Sequence, residues 1–433
     1  MNPAAEKTLE NLIGFGSPEA DLSTEDLRRI VEDALFRIGP GAKVLAIVPD
    51  KTRDDNTDIL FPFAAEFLRG RAVEKLDVLM AQGTHVPMTT AEKRGKIGFG
   101  DGVSVPDLGT VYDHHWSSPD DLVQIGELDS ETVKAITNGL YEKPIALTIN
   151  KLLAPGNYDH VLIFGATVPH EVAGFAGAAK YFFPGVAGPE LTHATHWLGA
   201  LAGIENTIGR IETPTRHLIE AAADIVSGDV IAFTTVVTRD DDDRLRTHGL
   251  FAGDFRASLR AGAEISKVVH IKYTGRKYRR VVALLDEHYD ELWVGGKASY
   301  KLGGIIDDGG ELIIYAPQMR CISETHGEII ERYGYAAIEK MQELVAESGE
   351  LEENLCVAAH LAHVAYAGRH DEHGDIVPRF NITLASQIDE ATCRQVNLGY
   401  MDFRTFRRED YEDDPDVLVV ERAGRDLYLV EPN

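Results

Sequence analysis

The sequence predicts an α/β fold: two α/β domains with mostly parallel sheets. Short apolar runs such as KVLAIVP and KLDVLMA alternate with segments of helical spacing such as ILFPFAAEFLRG, a pattern typical of parallel sheets. A chain of 433 residues is also longer than a domain with one hydrophobic core usually is. The strand pattern starts afresh near residue 270. We therefore predict domains over 1–268 and 269–433, with the active site in the cleft between them.

The individual elements follow from spacing and turn chemistry. DLSTEDLRRIVEDALFRI predicts a helix capped by Ser23 or Thr24, and ALTINKLL and DHVLIFGA predict strands. HLIEAAADIV and GDFRASLRAGAEISKVV predict helices between the later strands. In the C-terminal domain, GELIIYAPQM and FNITLAS predict strands, and ERYGYAAIEKMQELVAE predicts one helix. The segment DVLVVERAGRDLYLVE predicts a hairpin that turns at Ala423 and Gly424.

The net charge of -27 restricts the partners of the chain. Such a surface repels nucleic acid and anionic membranes, so we expect neither as a partner. A small anionic substrate would therefore need local positive charge in its site. Three widely spaced cysteines do not form a disulfide framework, the N-terminus lacks the pattern of a signal peptide, and no apolar run has membrane-spanning length. We expect a cytoplasmic protein.

Charged and basic side chains follow three of the predicted strands, where each strand ends. Asp50 and Arg53 come after KVLAIVP, His85 comes after LDVLMAQGT, and His170 comes after HVLIFGATVP. Because ligands of open parallel sheets bind outside the carboxyl ends of the strands, these groups are expected to meet in one crevice. A single histidine at a strand end is more often structural, but several such ends together favour a shared site.

The segment GATVPHEVAGFAGAAKYFFPGVAGPELTHATHW carries Lys180 in a loop of small residues. Its glycines, among them Gly177, permit a close approach of the backbone to a ligand, as in phosphate-binding loops. The loop lacks the G-K-[ST] ending of a P-loop, and no G-x-G-x-x-G follows a strand. A lysine beside an apolar segment such as YFFP can lose its proton and become a nucleophile or a covalent anchor. The alternative is an ordinary surface lysine.

Two further histidine pairs have weaker patterns. His193 and His196 are three residues apart, so on a helix they would share a face and could bind one metal ion. No H-E-x-x-H is present, which argues against a zincin. His114 and His115 are adjacent, so their side chains are expected to diverge, and we assign them no function.

The motifs PDKTR, QGTHVPMT and VPHEVAGFAGAAKYFFPG, followed by a later TH, resemble those of the lactate racemase family, which carries a nickel-pincer nucleotide. The resemblance implies that Lys180 holds this cofactor covalently through its thioamide and that His196 is the fourth nickel ligand, a soft-donor set that suits Ni(II). It implies that His85 and His170 are the catalytic acid and base on opposite faces of the substrate. Asp50 and Arg53, with Gly177 of the loop, are implied near the cofactor, and Arg53 also near the substrate.

The implied reaction inverts a 2-hydroxy acid by reversible hydride transfer through a 2-keto acid. One histidine removes the hydroxyl proton while hydride leaves the carbon, and the planar ketone can then receive hydride on its other face. Inversion needs two bases that titrate near neutral pH, as histidine does. Arg53 is suited to bind a carboxylate or phosphate through two hydrogen bonds, which meets the need for local positive charge.

The sequence departs from the family in GGKASYKLGG. Tyr300 fits the family's substrate-binding pattern, but Lys301 stands where the family has Gln, and Gly304 stands where it has Lys. Lys301 or Lys297 is expected to supply the lost charge. Two consecutive glycines, Gly303 and Gly304, suggest more room than a lysine would leave, and hence a substrate larger than lactate.

These observations predict an isomerase, a nickel-pincer racemase or epimerase of a small anionic hydroxy acid. An aldonic (sugar) acid is the first choice of substrate, with lactate or malate as the alternative. Two readings of other classes stay open: a zinc-dependent hydrolase that uses His85, His170 and His196, and a non-catalytic sugar-acid-binding protein. The zinc reading leaves Lys180 without a role.

Overall fold

The computed structural model describes residues 12–100, 109–240 and 242–432. The chain divides into two units, the first formed by 1–195 and 211–269 and the second by 196–210 and 270–433. The segment 196–210 thus belongs with the C-terminal unit. The limits that the sequence suggests for functional domains, 1–268 and 269–433, stay a prediction.

The first unit alternates strands and helices along most of its length. Its strands are β1 (Ile13–Gly16), β2 (Lys43–Pro49), β3 (Lys75–Ala81), β4 (Val111–Tyr112), β5 (Leu122–Leu128), β6 (Ile145–Asn150), β7 (His160–Ala166), β8 (Pro169–His170), β9 (Gly174–Phe175), β10 (Asp229–Arg239) and β11 (Leu245–Gly253). Its helices are α1 (Thr24–Leu35), α2 (Thr57–Gly70), α3 (Thr90–Lys96), α4 (Ser130–Ile136), α5 (Pro189–Ala202, which continues into the second unit), α6 (Pro214–Ala223) and α7 (Phe255–Val269).

A seven-stranded sheet in the order β1-β11-β10-β7-β2-β3-β4 forms the centre of this unit. The strands from β10 to β4 are parallel, and β1 and β11 are antiparallel additions at one edge. After β2 the chain adds strands on one side through β3 and β4, and later on the other side through β7 and β10. The strand order therefore reverses between β2 and β7, which is the place where open α/β sheets bind ligands.

The sequence explains why these elements form. All residues of β2 and β3 except the first of each are buried, and apart from Asp77 the buried residues are apolar, which is typical of a parallel sheet that is covered on both faces. The helix α1 begins after Ser23, whose side chain accepts a hydrogen bond from the Asp26 backbone N–H in a capping box. Its apolar face is buried, as predicted.

The second unit contains a smaller parallel sheet. Its strands are β12 (Ile271–Tyr273), β13 (Tyr278–Leu284), β14 (Ile306–Ala316), β15 (Gly368–His370), β16 (Ile376–Pro378), β17 (Asn381–Ser386), β18 (Gly399–Asp402), β19 (Val417–Val420) and β20 (Leu427–Leu429). Its helices are α8 (Leu292–Gly295), α9 (Lys297–Leu302), α10 (Gly327–Tyr333), α11 (Ile338–Glu347), α12 (Gly349–Glu353), α13 (Leu355–Ala365), α14 (Glu390–Gln395) and α15 (Glu409–Glu412). Five strands form an all-parallel sheet in the order β18-β17-β14-β13-β19. The α/β fold with mostly parallel sheets is confirmed.

Two predicted elements of this unit are wrong. The C-terminal hairpin does not form, because β19 joins β13 in the five-stranded sheet whereas β20 pairs with β12 in another. The single helix predicted from Glu331 to Glu347 is two helices, since Gly334 takes a φ of 69° and ends α10. Within 12–100, 109–240 and 242–432, no helix combines the length and the apolar character needed to span a bilayer.

Candidate functional site

The candidate site of the first unit lies at the carboxyl edge of its sheet. In the parallel register, Pro49 at the end of β2 pairs with Ala81 at the end of β3, and Ile47 of β2 pairs with Ile163 of β7. Asp50, the loop that leads to His85, and the segment that leads from β7 to His170 therefore all leave the same edge. This is the shared edge that the strand ends predict.

His85 and Asp50 are in direct contact. The Nδ1 atom of His85 lies 2.5 Å from Oδ2 of Asp50, and because a carboxylate only accepts, Nδ1–H is the donor. The other oxygen of Asp50 accepts from the backbone N–H and the hydroxyl of Thr52, at 3.0 and 2.6 Å. Burial opposes ionisation of Asp50, but the hydrogen bond from His85 and the charges of His85 and Arg53 outweigh it and hold the pKa of Asp50 well below its usual range. Nε2 of His85 is then the nitrogen that can accept a proton.

His170 has the opposite hydrogen-bond pattern. It ends the short strand β8, which pairs with β9, and its side chain is buried. The backbone N–H of Val172 donates to Nδ1 of His170 at 3.1 Å, so the neutral ring carries its proton on Nε2. Oε2 of Glu171 lies 3.5 Å from the same Nδ1. In their neutral states, His170 can therefore donate a hydrogen bond from Nε2, whereas His85 can accept one at Nε2.

Lys180 lies in a tight turn packed on the end of β7. The turn is a 3-10 helix from Ala178 to Tyr181, preceded by Gly177 with a φ of 109°. A Cβ on Gly177 would lie 2.9 Å from Oγ1 of Thr167, and a Cβ on Gly165 would lie 2.3 Å from the ring of Tyr181. Both positions require glycine, so the small residues of this loop permit close packing of the turn on the strand.

The electrostatic surroundings of Lys180 favour a neutral amine. Burial and the neighbouring charge of Arg53 lower its pKa to about 7, although part of the residue stays exposed. Neither the Lys180 amine nor the Arg53 guanidinium has a hydrogen bond or ion pair to another side chain in the part of the chain that the structure describes. The edge therefore carries an amine that can be neutral and a guanidinium whose hydrogen-bond donors have no side-chain partner among the described residues, and which can receive an anion.

Arg216, near the start of α6, is a neighbour of this site that no sequence pattern indicates. It is fully buried and donates from Nη2 to the backbone oxygen of Phe175 in β9. Its Nε and Nη1 have no hydrogen-bond partner within the described residues, and burial lowers its pKa to about 10. Its charge adds to that of Arg53 in lowering the pKa of Lys180.

The remaining predicted site residues belong to the second unit. Tyr300 and Lys301 are both buried on α9, but the Tyr300 hydroxyl lies 2.9 Å from Nδ1 of His360, whereas the Lys301 amine donates to the backbone oxygen of Arg425 at 3.3 Å. His196 lies on α5 and is partly buried. Burial, together with the charges of neighbouring histidines including His196, holds the pKa of His360 well below its usual value.

The expected space beside Gly303 and Gly304 is occupied. A Cβ on Gly303 would lie 2.3 Å from the ring of Tyr366, and a Cβ on Gly304 would lie 3.3 Å from the Tyr366 hydroxyl. The inference that these glycines leave room for a larger substrate is therefore wrong, because a side chain from a distant part of the sequence fills the space. No group of three or more His, Cys, Asp or Glu side chains that could hold a metal ion occurs in the described part of the chain.

Comparisons with known proteins find similarity in the part of the chain that carries the candidate site. The sequence profile of the Lactate racemase N-terminal domain matches residues 31–209. Lactate racemase of Lactiplantibacillus plantarum is 25% identical over 266 residues, which are 60% of this chain and 53% of that protein, so the chain matches only about half of its length. Residues 31–209 are therefore similar to the N-terminal domain of the lactate racemase family. The matched region contains all the predicted catalytic and cofactor-binding residues and excludes Tyr300 and Lys301.

Solved structures extend this similarity along the chain. A crystal structure of a protein from Thermotoga maritima has 30% sequence identity and a TM-score of 0.85, and covers 96% of this chain and 99% of that one. The lactate racemase apoprotein of Thermoanaerobacterium thermosaccharolyticum has a TM-score of 0.67 at 18% identity, and covers 97% of this chain and 100% of that one. The second similarity supports the family's fold over both units.

Proposed function

We propose that the protein is an isomerase, a racemase or epimerase that inverts the carbon bearing the hydroxyl group of a 2-hydroxy acid. The observation that carries the proposal is the pair of oppositely hydrogen-bonded histidines at one edge of the sheet. In its neutral state, His85 can accept a proton on Nε2 because Asp50 fixes its Nδ1–H. His170 can donate from Nε2 because the backbone of Val172 occupies its Nδ1. Inversion by oxidation and reduction needs one group of each kind.

The proton transfers follow from these two states. In one direction, His85 removes the substrate hydroxyl proton as the 2-keto acid forms, and Asp50 stabilises the resulting imidazolium. His170 must enter the next step as the imidazolium, because a neutral imidazole is too weak an acid, and the Glu171 carboxylate 3.5 Å from its Nδ1 would balance that charge. It then returns a proton from Nε2 to the oxygen as the carbon is reduced on its other face, and is left neutral. In the opposite direction the two histidines exchange roles.

The residues present fit the nickel-pincer nucleotide that the family resemblance implies. Lys180 supplies a neutral amine with no partner among the described residues, as an amide-type covalent anchor requires. Gly177 permits the tight turn that carries Lys180, the charges of Arg53 and Asp50 act on its amine, and His196 is proposed as the one protein ligand of nickel. When bound, the cofactor would reversibly accept hydride from C2 of the substrate. A single protein ligand does not require a cluster of metal-binding side chains.

The substrate is proposed to be bound through its carboxylate. Arg53 is the favoured partner, because its guanidinium has no side-chain partner within the described residues and can form a bidentate pair. Tyr300 and Lys301 are proposed as further substrate contacts. Because Tyr366 fills the space beside Gly303 and Gly304, an aldonic acid has no advantage over lactate or malate on structural grounds. The zinc-hydrolase alternative needs three ligands in one place, and the described residues provide no such group.

The test uses protein produced together with a cofactor-synthesis pathway. Intact and peptide mass spectrometry should find added mass on Lys180, and metal analysis should find nickel. Single enantiomers of lactate, malate and an aldonic acid are then incubated in deuterium oxide and separated by chiral chromatography. We expect inversion with the C2 hydrogen retained, because hydride does not exchange with solvent in the proposed path.

Two results would contradict the proposal. Deuterium at C2 of the inverted product would mean proton abstraction rather than hydride transfer. Protein that carries the Lys180 adduct and nickel but inverts none of the three acids would refute the activity. Lys180→Ala is the control, and it should lose both the adduct and any turnover while retaining the fold.

A further inference from the structure

His114, to which the sequence assigned no role, is buried between two segments of the candidate site. Its backbone N–H donates to the side-chain oxygen of Gln82 at 3.0 Å. Its Nε2 lies 2.9 Å from the backbone oxygen of Ala187, and its Nδ1 lies 3.3 Å from the amide nitrogen of Asn150. His114 therefore joins three separate parts of the first unit.

The charge state and the tautomer of His114 are defined by this environment. Burial lowers the pKa of His114 to about 4, so the ring is neutral at neutral pH. The oxygen of Ala187 can only accept, so Nε2–H is the donor, and Nδ1 accepts from the amide of Asn150. Oδ1 of Asn150 accepts from the backbone N–H of Leu152, which leaves its nitrogen for His114.

The two segments that His114 joins hold the central groups of the site. Gln82 begins the turn to His85, whose backbone N–H donates to the Gln82 carbonyl at 3.0 Å. Ala187 follows the Lys180 turn, in which the N–H of Gly185 donates to the Lys180 carbonyl at 3.1 Å. One further bond joins the segments directly, from the Gly83 N–H to the Gly185 carbonyl at 2.9 Å. His114, through its backbone bond to Gln82 and its imidazole bond to Ala187, and the Gly83–Gly185 bond together connect the His85 loop with the segment that follows Lys180.

We propose that His114 is a positioning residue for His85, because its backbone N–H binds the Gln82 side chain at the start of the His85 loop while its imidazole binds the segment that follows Lys180. The proposal rests on the proposed function only for its kinetic consequence. Its structural consequence, the fixed contact between His85 and Asp50, can be measured without cofactor or substrate. Loss of the bond to Ala187 should let the His85 loop move and weaken that contact.

Two substitutions of similar polarity test the bond from His114 to Ala187, because one retains a donor for it and the other does not. In His114→Gln the amide nitrogen takes the place of Nε2 and can still donate to Ala187. In His114→Asn the shorter amide takes the place of Nδ1 and leaves Ala187 without a donor. His115→Gln is the matched control, because His115 is exposed and contacts Asp121 at the surface, 2.9 Å away.

The first readout is the imidazole N–H proton of His85 in histidine-labelled protein without cofactor, which gives a downfield resonance that is absent in His85→Gln. We expect it to be retained in His114→Gln and His115→Gln and broadened or lost in His114→Asn. In cofactor-loaded protein, His114→Asn should lower kcat roughly tenfold, the effect of about one hydrogen bond, with little change in KM. His114→Gln should recover most of that loss.

A merely structural role gives a different pattern. Both variants at position 114 would then lower the melting temperature, while the His85 resonance and kcat of the folded protein stayed unchanged, and the proposal would be overturned. Equal loss of the resonance in His114→Gln and His114→Asn would also overturn it, since the bond to Ala187 would not be the cause. If cofactor-loaded wild-type protein has no racemase activity, the His85 resonance still tests the positioning role of His114. Failure of the proposed function and failure of the positioning role can therefore be distinguished.

Discussion

The depressed pKa of Lys180 has a consequence that can be measured on the protein without cofactor. At pH 7 about half of the Lys180 amines should be neutral, compared with roughly one in three thousand for an ordinary lysine of pKa 10.5. Arg53→Gln is the informative perturbation, since it removes the neighbouring charge but leaves the burial. The Lys180 midpoint should then rise above 7 and stay below 10.5, because burial is the larger cause.

The assay is acylation by a small activated ester over pH 5 to 10, quantified by peptide mass spectrometry with the exposed Lys277 as the reference peptide. Lys180 should react with a midpoint near pH 7 in the unaltered chain and at higher pH in Arg53→Gln. Arg69→Gln is the matched control, because it removes the same charge from an exposed position on α2. A midpoint near 10.5 in the unaltered chain would refute the assignment of Lys180 as a neutral amine. A midpoint that does not move in Arg53→Gln would refute the role of Arg53.

Three further predictions concern the same edge of the sheet. Asp50→Asn should lower kcat roughly 10- to 150-fold, because a charge-assisted hydrogen bond contributes about 1.5–3 kcal/mol, and steady-state kinetics of loaded protein should leave KM nearly unchanged. Because the pKa of Asp50 is depressed in the folded state, the ionised carboxylate stabilises the fold above about pH 4, and this stabilisation is lost as the pH falls further. The free energy of unfolding, measured with urea between pH 5 and 3, should therefore depend less on pH in Asp50→Asn. Replacing His85 or His170 by Gln should slow inversion by roughly 10²–10⁴ in both directions, and a variant with near-normal turnover would identify a bystander. Gly177→Ala should destabilise the fold more than Gly156→Ala, measured by thermal unfolding, because both glycines have positive φ but only at Gly177 would the Cβ meet another atom within 4 Å.

The central sheet could be predicted because buried parallel strands have an unambiguous pattern. The strands β2, β3 and β7 are predominantly apolar and polar residues follow directly after them, so the sequence alone indicates which side chains share an edge. The C-terminal hairpin could not be judged in this way. Two short apolar strands around a glycine turn have the same pattern whether they pair with each other or, as β19 and β20 do, with different strands.

The errors at single residues have one physical cause, which is contact with distant parts of the chain. The adjacent pair His114 and His115 suggested no function, yet His114 is buried and its Nε2 bonds the backbone oxygen of Ala187, 73 residues further on. Gly303 looks like open space, yet the ring of Tyr366 occupies it. Burial of a polar residue and the filling of space beside a glycine depend on tertiary neighbours, and a local pattern carries no information about them.

The hydrogen bonds of Asp50 explain how an acidic protein keeps a cation available at its site. Asp50 is the acidic residue nearest to Arg53 in sequence on its N-terminal side, and pairing between them would neutralise the guanidinium. Instead, one oxygen of Asp50 accepts from His85 and the other accepts twice from Thr52. The Arg53 charge is left to attract an anion and, through its effect on the pKa, to keep Lys180 neutral. The Asp50–His85 contact therefore supports both the acid–base pair and the neutral amine, and a substitution that freed the Asp50 carboxylate would weaken both at once.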